Sequence, residues 1–256
     1  MAISKVAALP YYDNEHAEAV RVLNVFGNKV EVDVDLAAML RWGSGDYSDL
    51  AAYLPKAFAT AQSRTDLPRT PAWDVRFGAA KDHSMLWALA DETMAPWVNA
   101  AHQAGVEAAV SYLSTHGVVG RKRTGHGARV VVPLDPLVLA VDHNTNRWEQ
   151  PHIHTHALFF HDGFDQDSNT MRALHTPWLY RQFAASRAIQ RAVSRHSVAS
   201  VFPCIEYHST VVGQQVAHRV TIFTDTQREA FSQRRNLFEP EDSQIARHIK
   251  IEQGWA

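Results

Sequence analysis

A chain of 256 residues, 46% of them hydrophobic, buries an ordinary core as one large domain or two smaller ones. Its 25 Lys and Arg against 27 Asp and Glu leave a formal charge of −2, which excludes a global basic field and confines any nucleic-acid surface to a local patch. A single cysteine, Cys204, excludes intrachain disulfides. With neither a cleavable leader nor an apolar run of membrane-spanning length, a soluble cytoplasmic protein is expected.

In chain order, "ISKVAAL" predicts a short strand stopped by Pro10, with Tyr11 and Tyr12 just past its end in the turn-forming "YYDN". Between residues 28 and 72 the pattern is mixed: "VEVDV" reads as extended, "DLAAML" as helical, and "RWGSGDYSD" as a glycine-containing loop. The stretch "WDVRF" alternates, which places Trp73, Val75 and Phe77 toward a core and leaves Asp74 and Arg76 on the other side of a strand. From Asp82 to Ser114 helical periodicity dominates, with Val98, Ala101, Gly105, Ala109 and Leu113 on one stripe and Pro96 expected to split the segment.

The basic "GRKRTGHGAR" reads as a loop, "VVVPL" and "LVLAVDH" as two strands, "HIHTHALFF" as a third, and "HDGFDQDSN" as a turn. Thr176 and Pro177 then open a helix whose buried stripe includes Leu179, Phe183 and Val193. On its surface Arg187, Arg191 and Arg195 recur every fourth residue, either as a solvated ridge or as a track for phosphates. The tail reads as a final helix or two. Short strands interrupted by helix pairs, without βαβ alternation, imply an α+β two-layer sandwich: a central, largely antiparallel sheet, helices on one face, and a site on the other.

Within "QPHIHTHALFF", His152, His154 and His156 stand at every second position, the spacing that puts side chains on one face of a strand. Neutral imidazole is the commonest ligand for divalent transition metals, so spacing alone nominates these three as ligands, against the plainer reading of structural histidines in a chain that has 15.

The longer segment "DHNTNRWEQPHIHTHALFF" resembles the three-histidine motif of conjugative relaxases of the MobF class, tyrosine endonucleases found at the front of plasmid-transfer relaxase–helicases. In that family a histidine followed by a threonine and an arginine precedes a P-x-x-H-T-H strand, and His143, Thr145, Arg147, Pro151, His154, Thr155 and His156 occupy those places. The resemblance implies His143, His154 and His156 as the metal ligands and makes His152 a neighbour. "WDVRFGAAKD" is similar to the family's strand and helix start, which implies that Asp74 orients a ligand histidine. Lys81 is retained there, while the proline and serines of the family's "F-S-A-P-K-S" are replaced. "ISKVAALPYYDN" resembles the strand leading to the nucleophilic tyrosines, and "REAFSQRRNLFE" the segment that closes the domain. Residues 1–240 are thus expected to form a palm-like relaxase domain and residues 241–256 a tail, with no helicase.

The resemblance implies metal-dependent, site- and strand-specific DNA nicking and rejoining through a 5′-phosphotyrosine, with Tyr11 as nucleophile and Tyr12 in reserve. It also implies single-stranded DNA at an origin of transfer as substrate and relaxosome or coupling proteins as accessory partners. A tyrosine hydroxyl ordinarily ionises near pH ~10, so it needs the activation that a metal-bound phosphate supplies. Lys81 or Arg147 are candidates to neutralise phosphate charge. Arg121, Lys122 and Arg123, the ridge at Arg187 and Arg191, and Arg234 with Arg235 are candidates to bind DNA, with Trp42 and Trp148 to stack on bases. Three imidazoles suit Zn²⁺, Mn²⁺, Ni²⁺ or Co²⁺ by affinity, whereas cellular abundance favours Mg²⁺ or Mn²⁺ in use.

Glu18 and Ala19 stand where many relaxases carry a second tyrosine pair. A rolling-circle replication initiator with the same chemistry, a silent descendant that binds single-stranded DNA, and a metal hydrolase using water are the alternatives.

Overall fold

The structure, a computed structural model, describes residues 3–6, 19–27, 34–53, 70–146, 150–212 and 215–231. Tyr11, Tyr12, Arg147, Trp148, Arg234, Arg235 and the expected tail at 241–256 lie outside the described residues, as does most of "VEVDV". The chain divides into two compact units. The first comprises Met1–Phe77, Val106–His143 and His154–Gln190, and the second Gly78–Gly105, Asn144–Ile153 and Arg191–Ala256.

In order the elements are β1 (Ile3–Lys5), β2 (Ala19–Val25), α1 (Leu36–Gly43), a 3-10 helix (Ser48–Tyr53), β3 (Ala72–Gly78), α2 (Lys81–Leu89), α3 (Met94–His116), β4 (Val119–Arg123), β5 (Arg129–Pro133), β6 (Asp135–Thr145), β7 (Pro151–Asp165), β8 (Thr170–Ala173), α4 (Pro177–Val201), β9 (Tyr207–Val212), β10 (Gln215–Val220) and α5 (Asp225–Ala230). The class is α+β with a central, largely antiparallel sheet. No helix among the described residues is long and apolar enough to cross a membrane.

The first unit is built on a six-stranded sheet of order β1-β3-β7-β6-β2, with β8 paired to β7. Ile3↔Val75, Ala19↔Asp142 and Asp162↔Ala173 mark antiparallel registers. Alternation along β6 sends Leu137, Leu139 and Val141 into one core with Leu158, Phe160 and residues of α1 such as Met39 and Trp42. Val138 goes the other way and packs with Val75, Phe77, Ala157, Phe159, Leu113 of α3 and Leu179 of α4. Both faces are therefore covered along the middle of the sheet, which is why β6 and β7 read as near-continuous apolar runs. Trp42 is fully buried, donates its indole N–H to Asp49 Oδ1 at 2.9 Å and meets Phe160 edge-on, so it is a core residue rather than a base-stacking one.

Several element boundaries differ from the sequence expectation. The break between α2 and α3 falls at residues 90–93, and Pro96 sits in the first turn of α3, where a missing N–H costs nothing. The basic "GRKRTGHGAR" is a β-hairpin, because Arg123 pairs with Arg129 across a turn in which Gly127 takes φ +77. β7 continues to Asp165, so that only the second half of "HDGFDQDSN" turns, and α1 extends through "RWG" before the 3-10 helix begins.

The second unit packs Met85, Leu86, Leu89, Val98, Val198, Val220 and Phe223 into its own core. Beside that core Asp82 accepts from Arg228 Nη2 at 2.9 Å and from the backbone N–H of Val220 at 2.6 Å, while Arg228 Nη2 also donates to the Val220 carbonyl at 2.7 Å. The pair is buried, so removal of Arg228 would strand the Asp82 carboxylate at a cost of about 3–5 kcal/mol, whereas Arg228 also donates through Nη1 to Asp225 Oδ1 at 3.2 Å.

His83 is also buried here, 3.3 Å from the Tyr207 hydroxyl, and burial together with the Arg195 charge lowers its pKa to about 4. Because the unfolded chain binds this proton at its ordinary pKa of 6.5 and the folded chain does not, the stability due to His83 is complete above 6.5 and lost as pH falls toward 4. The expected loss is of the order of 3 kcal/mol. Thermal denaturation of wild type and His83→Asn across that range checks it: the variant should lose less stability on acidification, and parallel curves would refute a neutral buried His83.

Candidate metal centre

Three strands of the first unit carry the candidate centre. On β6, His143 extends the row Leu137, Leu139, Val141; on β7, His154 and His156 extend the row of Leu158 and Phe160; on β3, Asp74 shares its row with Ala72. All these rows face the α1 side of the sheet, so that face holds α1 at one end and the histidines at the other. Ring centres are 5.1 Å apart for His143 and His154, 5.4 Å for His143 and His156, and 5.1 Å for His154 and His156.

Metal–nitrogen bonds of about 2.1 Å put an ion about 3.2 Å from each ring centre, and near-tetrahedral angles then separate the centres by about 5 Å. The rings have that spacing. Among the described residues no group of three or more His, Cys, Asp or Glu side chains is arranged to hold a metal ion, and the His143 and His154 rings lie stacked at 20° to one another.

Asp74 holds one ring already. The Nδ1–H of His156 donates to Asp74 Oδ2 at 2.8 Å, and both residues are buried. With the proton on Nδ1, Nε2 carries the lone pair, the tautomer a metal ligand needs.

The opposite side of the same strands is also polar. Thr155, between the two β7 histidines, donates through Oγ1 to Asp142 Oδ1 at 2.5 Å, and Asp142 directly precedes His143. Arg21 on β2 donates through Nε to Asp142 Oδ2 at 2.9 Å and through Nη1 to Glu107 Oε1 at 2.8 Å. These bonds tie β2, β6 and β7 together behind His143, His154 and His156. Sequence reasoning missed them: alternation places Asp142 and Thr155 on the back of their strands, but nothing local identifies Arg21 as the partner.

Other nominated residues are distributed more widely. His152 belongs to the second unit, where a Cβ added at Gly78 would lie 3.7 Å from its ring. Lys81 opens α2 in that unit, and burial lowers its pKa to about 8 against the opposing charge of Asp82. Arg121, Lys122 and Arg123 lie on β4 of the hairpin, with Arg121 and Arg123 exposed. The ridge on α4 is not freely solvated: Arg187 lies over the Phe183 ring at 5.8 Å, and the charges of Arg195 and Arg191 join burial in lowering the pKa of His218 on β10.

The model of the family described as TrwC relaxase matches residues 4–253. The chain belongs to the TrwC relaxase family. It is therefore a DNA relaxase domain. Among solved structures, the relaxase is similar at 17% identity to a metal-free conjugative relaxase TrwC in complex with OriT DNA, covering 97% of this chain and 90% of that one with a TM-score of 0.70. TrwC complexed with a 27-mer DNA comprising the recognition hairpin and the cleavage site gives the same identity, coverage and TM-score of 0.70. The metal-bound TrwC–OriT complex, also at 17% identity and the same coverage, gives 0.69. No curated protein sequence matches the chain.

Removal of the Asp74 carboxylate should free the His156 ring and weaken metal binding about 10–100-fold. Titration calorimetry of Mn²⁺ or Zn²⁺ into Asp74→Ala, with the far-UV circular dichroism of wild type retained, checks this; wild-type affinity in the variant would show that Asp74 does not support the centre.

Proposed function

We propose that this relaxase domain nicks one DNA strand at an origin of transfer and rejoins it through a 5′-phosphotyrosine, initiating conjugative transfer of a plasmid or mobile element. The observation that carries the proposal is the gathering of His143, His154 and His156 with Asp74 on His156, in a chain of the TrwC relaxase family. Relatives of the same fold bind OriT DNA, in metal-bound and metal-free states.

His143, His154 and His156 are the residues that would hold a divalent ion, which supplies Lewis-acid polarisation of the scissile phosphate. Borderline nitrogen donors accept Mn²⁺, Zn²⁺, Ni²⁺ or Co²⁺, and Mg²⁺ or Mn²⁺ is proposed as the working ion by abundance. Tyr11 attacks phosphorus through its phenolic oxygen. The tyrosine loses its hydroxyl proton as its oxygen bonds to phosphorus, the phosphorus to 3′-oxygen bond breaks, and the departing oxygen takes up a proton to become a 3′-hydroxyl, so no net proton is gained or lost. Because one phosphodiester replaces another, the bond energy is retained and the strand can be resealed by the reverse attack. Tyr12 is the reserve nucleophile. Single-stranded substrate is required because a protein-borne tyrosine must reach an unstacked backbone, and Arg121, Lys122, Arg123 and Arg147 supply local positive charge along it. Arg187 and Arg191, partly buried on α4, contribute less.

Incubation with labelled single-stranded DNA spanning the origin and Mn²⁺, followed by a denaturing gel, should yield a covalent adduct that maps to Tyr11. Tyr11→Phe should reduce it at least about 100-fold, as expected for loss of a nucleophile. Cleavage without an adduct would identify water as the nucleophile, and binding without either would identify a silent DNA-binding descendant.

Lys81 is proposed to neutralise phosphate charge. A lysine with a pKa of about 8 loses its proton as pH rises through that value, so adduct formation should decline above it in wild type and stay level in Lys81→Arg. Matching pH profiles for the two proteins would remove Lys81 from the site.

A further inference from the structure

We infer that Arg76 binds a backbone phosphate of the DNA strand at the histidine centre. This inference rests on the reading of the chain as a nicking enzyme. The residue is placed by the register of β3 against β7. At one end of the ladder the N–H of Ala79 donates to the Ile153 carbonyl at 2.9 Å, and at the other the N–H of His161 donates to the Pro71 carbonyl at 3.2 Å. Counting inward from either hydrogen bond gives the same pairing: Asp74 stands opposite Leu158, and Arg76 stands opposite His156. Odd-numbered β3 residues form the hydrogen-bonded pairs. Arg76 and His156 are therefore a non-hydrogen-bonded pair, the class in which facing side chains stand closest, with Cβ atoms about 4.5–5.5 Å apart.

Arg76 thus lies on the ligand face, two residues from Asp74 and directly across from a ligand histidine. It is the exposed residue of β3, between fully buried Val75 and Phe77. No hydrogen bond or ion pair to its guanidinium is present among the described residues, and Asp74, the carboxylate on the same row, is engaged with His156.

A guanidinium one strand away from a divalent ion is repelled by it unless an anion lies between them. A DNA phosphate is the anion that the proposed reaction brings. Its non-bridging oxygens match the planar fork of arginine, which donates two parallel N–H bonds where a lysine donates from a point. His143, His154 and His156 would hold an ion that supplies Lewis-acid polarisation of the scissile phosphate, and Arg76 would bind the same phosphate or its neighbour. The residue adds binding energy, and it adds direction, because the strand must lie along β3 to reach it.

The test compares wild type with Arg76→Gln and Arg76→Lys. In EDTA, anisotropy of labelled single-stranded DNA spanning the origin, measured against salt concentration, should give for Arg76→Gln about tenfold weaker binding and a log–log salt slope smaller by about 0.7, the value for one lost contact to a single strand. Arg76→Lys should recover the slope and only part of the affinity. Mn²⁺ affinity by calorimetry should be unchanged in both, and the rate of adduct formation at saturating DNA should fall in Arg76→Gln. Wild-type affinity and slope in Arg76→Gln would overturn the inference, as would a loss of Mn²⁺ binding with DNA binding intact, which would make Arg76 a structural support for the ligands. If wild type forms no adduct while Arg76→Gln still loses its salt slope, the nicking reading fails and Arg76 stands as a DNA contact. If the adduct forms and the variant behaves as wild type, Arg76 alone is wrong.

Discussion

The register of β6 against β7 is the constraint on which the site depends. A strand alternates its side chains with period two, so a slip of one residue would turn His154 and His156 to the α3 side and bring Thr155 to the face that holds His143. Two opposed preferences prevent it. On one face Leu137, Leu139, Val141, Leu158 and Phe160 must stay in their core; on the other the Thr155 hydroxyl and the Arg21 guanidinium satisfy the buried Asp142 carboxylate. Any slip would expose the first group and leave the second unbonded, each at a cost of several kcal/mol. The histidines inherit their position from the apolar and polar residues packed around them on the same strands.

Ligand geometry is refined by a different device. Asp74 enters from β3, on the other side of β7 from β6, and its bond to His156 Nδ1 sets the tautomer of one ring. The three ring centres lie 5.1–5.4 Å apart because alternation along two neighbouring strands puts all three histidines on one face.

The second unit rests on its own buried polar device, in which Asp82 binds both the Arg228 side chain and the β10 backbone. It joins the start of α2 to the end of the described chain. Lys81, adjacent to it, owes its lowered pKa to the same burial that Asp82 partly offsets. A lysine placed there keeps its charge only conditionally, whereas a guanidinium in general is not deprotonated in proteins.

By itself the sequence determined the features that follow from short-range periodicity. The strand "HIHTHALFF", the sharing of one face by His154 and His156, the placement of Asp74 opposite Val75 and Phe77, and the helical character of α2, α3 and α4 are all consequences of two- and 3.6-residue repeats. Resemblance to relaxases nominated His143, which spacing had passed over in favour of His152, because a residue on a neighbouring strand leaves no trace in local periodicity. Tertiary structure alone decided the rest. Element ends such as those of β7 and the β4–β5 hairpin depend on which strand lies alongside, and the pairings of Arg21 with Asp142, Asp82 with Arg228, and Arg76 with His156 join residues 80 or more positions apart. The physical reason is the range of the forces: alternation is a property of one strand, whereas a buried charge takes whichever partner the chain path brings within hydrogen-bonding distance.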